Sequence, residues 1–294
     1  MSRKNNSREN VMSKKISSDL VGIKFDPIPV TWDSDKCQLY AVAVGAKPDE
    51  ELDFLYEGKG PKVLPTFGVV PGMITMAGLV ANVELNLAML LHGEQSITLH
   101  RPIPPNSKKA EAVGSITEVW DKGKAAVLGV TGEVSDKDGP IFSVHSTMFI
   151  RGAGGFGGER GPSTEGKNQP PDREPDHVIE DITHPEQAAL YRLTGDRNPI
   201  HIDPAFAQMG GFKSTFLHGL CTYGFVGRAA LKALCGGDPA RFTSISARFA
   251  DQVFMGDQII TKIWDDGKGE AILVAETQKG NEVLSQAKVT YKPE

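Results

Sequence analysis

The segment Val119-Trp-Asp-Lys-Gly-Lys-Ala-Ala-Val-Leu-Gly-Val130 returns in the second half of the chain as Ile263-Trp-Asp-Asp-Gly-Lys-Gly-Glu-Ala-Ile-Leu-Val274. Each copy reads as a strand, an Asp-x-Gly turn and a second strand. The match extends outward in register. Residues 141–150 correspond to 283–291, and upstream Leu39-Tyr40 and Gly45 resemble Leu190-Tyr191 and Gly195. Matches kept in one order along the chain point to a duplicated unit. Ahead of its β-rich runs each half carries an apolar stretch of helical length, residues 73–91 and 217–235. A helix apolar or small on nearly every face needs cover on most sides, which a curved sheet supplies.

The expected fold is therefore α+β. It is a double hotdog, each half a long central helix wrapped by a curved antiparallel β-sheet. The chain of 294 residues suits two such units. Residues 1–19, rich in Ser, Lys, Arg and Asn, read as a solvated tail, residues 20–150 as the first hotdog and 177–294 as the second. Between them, residues 151–176 read as a Gly- and Pro-rich linker. Gly152, Gly154 and Gly157 there satisfy G-x-G-x-x-G, but no strand and helix flank them as a dinucleotide site requires.

A net charge of -5 speaks against a broad nucleic-acid-binding surface. Cys37, Cys221 and Cys235 lack metal-ligand spacing and read as reduced and buried, which fits a reducing compartment. Residues 73–91 approach membrane-spanning length, yet Asn82, Glu84 and Asn86 within them favour a buried helix over a span. The start lacks the apolar region of a secretory signal, and Tyr291-Lys-Pro-Glu294 is not a Ser-Lys-Leu peroxisomal address. Sheet edges leave both monomer and homodimer open.

The chemistry concentrates in Tyr191-Arg-Leu-Thr-Gly-Asp196-Arg-Asn198-Pro-Ile-His201. Pro199 disfavours helix at Asn198, and Asn198-Pro199 suits an N-cap followed by a first helical position. A bend there lets Asp196 and His201 converge; in one continuous helix they would lie roughly 140° apart. The plainer reading makes Asp196 a turn residue, Asn198 a cap and His201 a satisfied histidine. Against it, the equivalent stretch from Tyr40 has the frame without the polar cluster. Further on, Leu217-His218-Gly219 opens an apolar helix whose first N–H groups have no intrahelical acceptor, and Gly219, Gly224 and Gly227 suggest close approach of a neighbour. A carboxylate and an imidazole opposite backbone donors suit addition of water to a double bond conjugated to a carbonyl. Asp196 and His201 would share the proton transfers, Asn198 would orient them and the Gly219 N–H would hold the oxyanion. No metal is called for, and His184, His218 and Asp203 form no ligand motif with the pair.

At these residues the chain resembles the (3R)-specific 2-enoyl-CoA hydratases, or hydratase 2, of the MaoC-like superfamily. Tyr191, Leu193, Thr194, Gly195, Asp196, Asn198, Pro199, Ile200 and His201 fill the family signature, and the likeness spans roughly residues 26–291. It is closest in character to the eukaryotic two-hotdog form, including the hydratase region of type 2 peroxisomal multifunctional enzymes. The resemblance implies catalysis by Asp196, His201, Asn198 and Gly219, and acyl-CoA contacts at His92, Gly93, Lys122, Arg197, Pro199, Ile200 and Phe249. Without it, Lys122 reads as a solvated turn lysine, His92 as the C-terminal residue of the first helix and Phe249 as core. It further implies a CoA thioester substrate with no separate cofactor, a first half that accommodates the acyl chain without catalysing, a part in β-oxidation and a peroxisomal rather than cytoplasmic setting. Rival readings are a hotdog acyl-CoA thioesterase, an acyl-CoA-binding protein without turnover, and a dehydratase of carrier-bound substrates.

Overall fold

The computed structural model describes residues 13–294. Its strands are β1 (Ile28–Trp32), β2 (Leu90–Leu99), β3 (Ser107–Asp121), β4 (Ala125–Asp136), β5 (Gly139–Arg151), β6 (His177–Ile182), β7 (Phe242–Phe249), β8 (Gln258–Asp265), β9 (Glu270–Thr277) and β10 (Glu282–Tyr291). They form one sheet in the order β1-β3-β4-β5-β2-β7-β10-β9-β8-β6, antiparallel throughout. The second five strands repeat the order of the first five, read from the opposite edge. The two expected sheets are thus fused along β2 and β7, where Glu94 faces Arg248 and Ile97 faces Ile245. The repeated turns match in detail. Asp121 Oδ1 accepts from the Gly123 N–H at 2.8 Å and Asp265 Oδ1 from the Gly267 N–H at 2.9 Å. Both glycines sit at positive φ, where a Cβ would be strained.

One helix, Gly219–Cys235, fills the second half, with 14 of its 17 residues buried. It ends on Gly236 in the left-handed conformation, as a C-terminal cap demands. Its inner glycines admit the first half: a Cβ on Gly224 would lie 2.4 Å from Val44, and one on Gly227 2.3 Å from Thr66. Tyr40, Val44 and Phe67 share one core with Tyr191, Phe225 and Ile245. Cys37, Cys221 and Cys235 are buried and unpaired.

The first half departs from expectation. Residues 73–91 are not one helix: helical turns Val69–Gly72 and Thr75–Asn82 give way to irregular chain and a single 3-10 turn, Leu87–Met89, and β2 begins at Leu90. The break combines a local bond with a distant one. Asn82 Nδ2 donates to the Gly78 carbonyl at 2.8 Å, and the backbone beyond it bonds to another segment, with Lys14 N–H on Asn82 O and Glu84 N–H on Lys14 O. His92 therefore lies in β2 and ends no helix. Among the described residues, the stretch Pro65–Asn82 is long and apolar enough by composition to cross a membrane, but it consists of short helical pieces and 44% of it is buried.

Residues 1–12 lie outside the described chain. Residues 13–19 do not run free, contrary to the expected tail. Lys14 pairs with Val83, Ile16 packs on a second hydrophobic cluster, and Leu20 and Phe25 are buried in that cluster beneath Leu79 and Val83. The glycine-rich stretch after β5 serves a carboxylate of the chain itself: Gly155 and Gly157 N–H groups each donate to Asp121 at 2.8 Å. Led by the Gly155 hydrogen bond, these donors hold Asp121 below the usual carboxylate range. The chain then crosses the sheet, tied by Asn168 Nδ2 to Gln286 O and by Gln286 Nε2 to Thr164 O.

The halves are also joined by charge. Arg228 of the long helix is buried and donates to Val44 O at 2.9 Å, to Glu51 Oε2 at 2.6 Å and to Asp181 Oδ1. Val44 and Glu51 belong to the first half, Asp181 to β6. Replacing Arg228 by Ala would strand two buried carboxylates, so Arg228→Ala should cost about 3–5 kcal/mol of stability. Urea midpoints compared with those of Arg228→Lys measure it, and an unshifted midpoint would contradict the role of this triad.

Candidate active site

The signature segment folds as a sequence of caps and turns. The helix Gln187–Tyr191 runs into the tight turn Arg192–Thr194, and Gly195 reverses the chain at φ 152°, a conformation that favours glycine. Asp196 Oδ1 then accepts from the Asn198 N–H at 3.2 Å, an Asx turn. Asn198 Oδ1 accepts from the Ile200 N–H at 3.2 Å and caps the single turn Pro199–His201. The bend inferred from Pro199 is therefore present, and it carries His201 inward while Asp196 stays half-buried.

Asp196 and His201 come together with a third group that local spacing does not reveal. Donor atoms of Asp196, His201 and His218 lie within 4.8 Å of one another. His218, set apart from the pair in the sequence reading, is brought in by the long helix it precedes. The His201 and His218 rings overlap at 3.9 Å between centroids and 32° between planes. His201 Nδ1 lies 2.9 Å from the Phe216 carbonyl and His218 Nε2 3.2 Å from that of Asp196. Since a carbonyl only accepts, each of these nitrogens carries the proton. His201 Nε2 is left as a lone pair, the form a general base requires. Burial lowers the His201 pKa, opposed by the Phe216 hydrogen bond and the Asp196 carboxylate. Burial, followed by the neighbouring His201, pushes His218 down to about 3.

On the other side of Gly219 stand Phe249 and His92. A Cβ on Gly219 would meet the Phe249 ring at 3.0 Å, so any larger residue would have to push that ring aside. Phe249 packs edge-on against His92 at 4.9 Å. Gly93 is the extra residue of a β-bulge between His92 and Glu94, opposite Met148 and Thr147. The bulge keeps both His92 and Gln95 on the inner face despite a spacing of three. His92, lowered to about 4 by burial, is neutral as well.

The remaining predicted positions are more dispersed. Ile200 and Pro199 form the half-buried wall of the turn, while Arg197 is exposed and its carbonyl accepts from Arg192. Lys122 occupies the β3–β4 turn, where its ammonium donates to the Arg160 carbonyl. Together with Gly93, Lys167 and Arg248 it lines a cavity of about 560 Å³ on the sheet face opposite the long helix. Neither Asp196 nor His201 lines that cavity.

Comparison with known proteins agrees with this architecture. Residues 30–152 match the MFE-2 hydratase 2 N-terminal domain and residues 167–287 the MaoC like domain. A probable enoyl-CoA hydratase 2 of Dictyostelium discoideum is 37% identical over 93% of this chain and 96% of its own. The peroxisomal multifunctional enzyme type 2 of Mus musculus is 38% identical over 93% of this chain and 38% of its own. Among solved structures, a MaoC-like dehydratase from Phytophthora capsici superposes with a TM-score of 0.84 at 31% identity, covering 95% of this chain and 99% of that one. Fold and sequence together define a double-hotdog protein with a MaoC-like second half. The chain belongs to the hydratase 2 family of MaoC-like proteins.

Three neutral histidines, His201 and His218 buried and His92 half-buried with its Nε2 enclosed, make stability depend on pH. An unfolded histidine takes up a proton near pH 6.5, whereas His92, His201 and His218 resist it while folded. Their contribution is complete above that pH and is lost as the pH falls. Unfolding free energy should decline between pH 6.5 and 5 by up to about 1.4 kcal/mol per pH unit for each histidine. Urea unfolding across that interval tests it; a flat profile would mean that the folded histidines titrate normally.

Proposed function

We propose that the chain catalyses reversible hydration of trans-2-enoyl-CoA to (3R)-3-hydroxyacyl-CoA in fatty-acid β-oxidation. The observation that carries the proposal is a neutral His201, its Nε2 lone pair free, beside the Asp196 carboxylate at the N-terminus of the Gly219–Cys235 helix. A water held between Asp196 and His201 loses a proton as its oxygen bonds to C3, and a proton is delivered to C2. The enolate charge that develops on the thioester oxygen meets the Gly219 N–H, one of the first helical donors without an intrahelical acceptor. Asn198 acts through its two backbone bonds, which fix the Asp196 turn and the His201 turn. The (3R) outcome rests on the family resemblance.

His92 and Phe249 are assigned to the substrate beside Gly219, with Arg197, Pro199 and Ile200 supplied by the turn. Lys122 and Gly93 are assigned to the CoA moiety, at a cavity lined also by Arg248, by Lys167 paired with Glu94 at 3.4 Å, and by Glu118. The first half, without an Asp, Asn and His set, is assigned to the acyl chain. The name of the slime-mould relative supports the enoyl-CoA reaction, and that of the mouse protein a peroxisomal setting.

No metal or other cofactor enters the proposal. Asp196, His201 and His218 are the set that would have to hold an ion. The imidazoles are assigned protein roles instead, His201 Nδ1–H on the Phe216 carbonyl and His218 Nε2–H on that of Asp196, and the proton transfers proposed here need no ion. Turnover should accordingly survive exhaustive treatment with a chelator.

Asp196→Asn and His201→Ala should each lower kcat by about two to four decades, the range for loss of a general acid or base. Loss of enoyl-thioester absorbance measures it, with near-ultraviolet circular dichroism as the folding control. Near-normal turnover by either folded variant would overturn the assignment. Release of free thiol from saturated acyl-CoA would indicate thioester hydrolysis instead.

A further inference from the structure

His218 stands between the groups assigned to catalysis and touches almost all of them. It is fully buried, and its ring packs against those of His201 at 3.9 Å and Tyr191 at 4.9 Å between centroids. Its Nε2 meets the backbone carbonyl of Asp196 at 3.2 Å, and the next residue is Gly219. As the residue that enters the long helix, it uses no side-chain atom to cap the helix. Its Nδ1 is buried without a protein partner, as is the hydroxyl of Tyr191. A buried, neutral polar ring with one unpaired nitrogen is a destabilising choice at a position where leucine would pack, so stability does not account for it.

Resting on the hydratase reading, we infer that His218 is a positioning residue that sets the spacing of Asp196 and His201 relative to the Gly219 N–H. Its Nε2–H holds the peptide that carries the Asp196 side chain, and its ring is the floor on which the His201 imidazole lies. Both constraints are delivered from the N-cap of one long helix, so acid, base and oxyanion donor share a single reference. The contact defines the tautomer, because only Nε2–H can donate to the Asp196 carbonyl. Of the charged or titratable groups packed around the ring, His201, Asp196 and Tyr191 make the contacts just described, and Arg192 is the remaining neighbour whose charge it senses.

Three replacements separate positioning from packing. The amide nitrogen of Gln reaches the place of Nε2, that of Asn falls short at the place of Nδ1, and Leu fills the space without a donor. With a short trans-2-enoyl-CoA, His218→Leu and His218→Asn should lower kcat by about 10- to 100-fold at nearly unchanged KM, as loss of an orienting partner does. His218→Gln should recover to within about threefold of the wild type, a gain that packing alone does not give. Equal losses in the Gln and Asn variants, or a raised KM with normal kcat, would overturn the inference, and this comparison stands even if the Leu variant does not fold. Separately, nitrogen-15 spectra of histidine-labelled wild-type protein should show His218 as the neutral Nε2–H form from pH 8 to about pH 5. An Nδ1–H signal or a normal titration would overturn it without reference to turnover. Absence of turnover in the wild type would sink the hydratase reading alone.

Discussion

A helix buried over nearly all of its surface sets the terms for the rest of this molecule. Gly219–Cys235 exposes little beyond Lys232 in its last turn, and a single curved sheet covers only part of it. The uncovered side is taken by Tyr40, Val44 and Thr66 of the first half, drawn in where Gly224 and Gly227 lack side chains. Glycine within a helix is unfavourable by about 1 kcal/mol relative to alanine. Here the loss is offset by the close packing it permits. Arg228, the one charged residue on the buried surface of that helix, takes its partners from both halves. The same burial leaves the first turn of the helix facing the signature segment, with its backbone donors uncommitted to side-chain caps.

Local turn chemistry and long-range burial meet at the candidate site. Asp196 and Asn198 spend side-chain oxygens on neighbouring N–H groups, which shapes the loop without help from the core. His201 and His218 are instead defined by carbonyls of residues 15 and 22 positions away. Low polarity around them favours the uncharged form of both rings, which leaves His201 a lone pair at Nε2. Gly93 shows the same economy in the sheet: one inserted residue turns His92 toward Phe249 without changing the pairing of the strand beyond.

What could be read in the amino-acid order was whatever neighbouring residues decide among themselves. The Asp-Lys-Gly and Asp-Asp-Gly turns, the cap at Asn198, the bend at Pro199 and the start of the long helix at Gly219 are of this kind, and the internal repeat supplied the architecture. The helix expected over residues 73–91 was overestimated because apolar content alone does not distinguish a helix from a helix followed by a strand. Its end is set by Lys14, some seventy residues earlier. His218 and the Glu51, Asp181 and Arg228 triad escaped for a related reason: their partners are distant, and no spacing in the chain records them. That the glycines around Asp121 enclose a carboxylate was not legible.

The mirrored strand order has an evolutionary corollary. In an assembly of two identical subunits every substitution appears twice, so no position can be released on one side while it is retained on the other. Joining the units in one sheet through β2 and β7 removes that coupling. Tyr40 can remain as the counterpart of Tyr191, packed against it at 6.2 Å, while the residues that follow the two tyrosines diverge. Covalent fusion thus converts a symmetric scaffold into one whose halves drift independently, held to a common shape only where they touch.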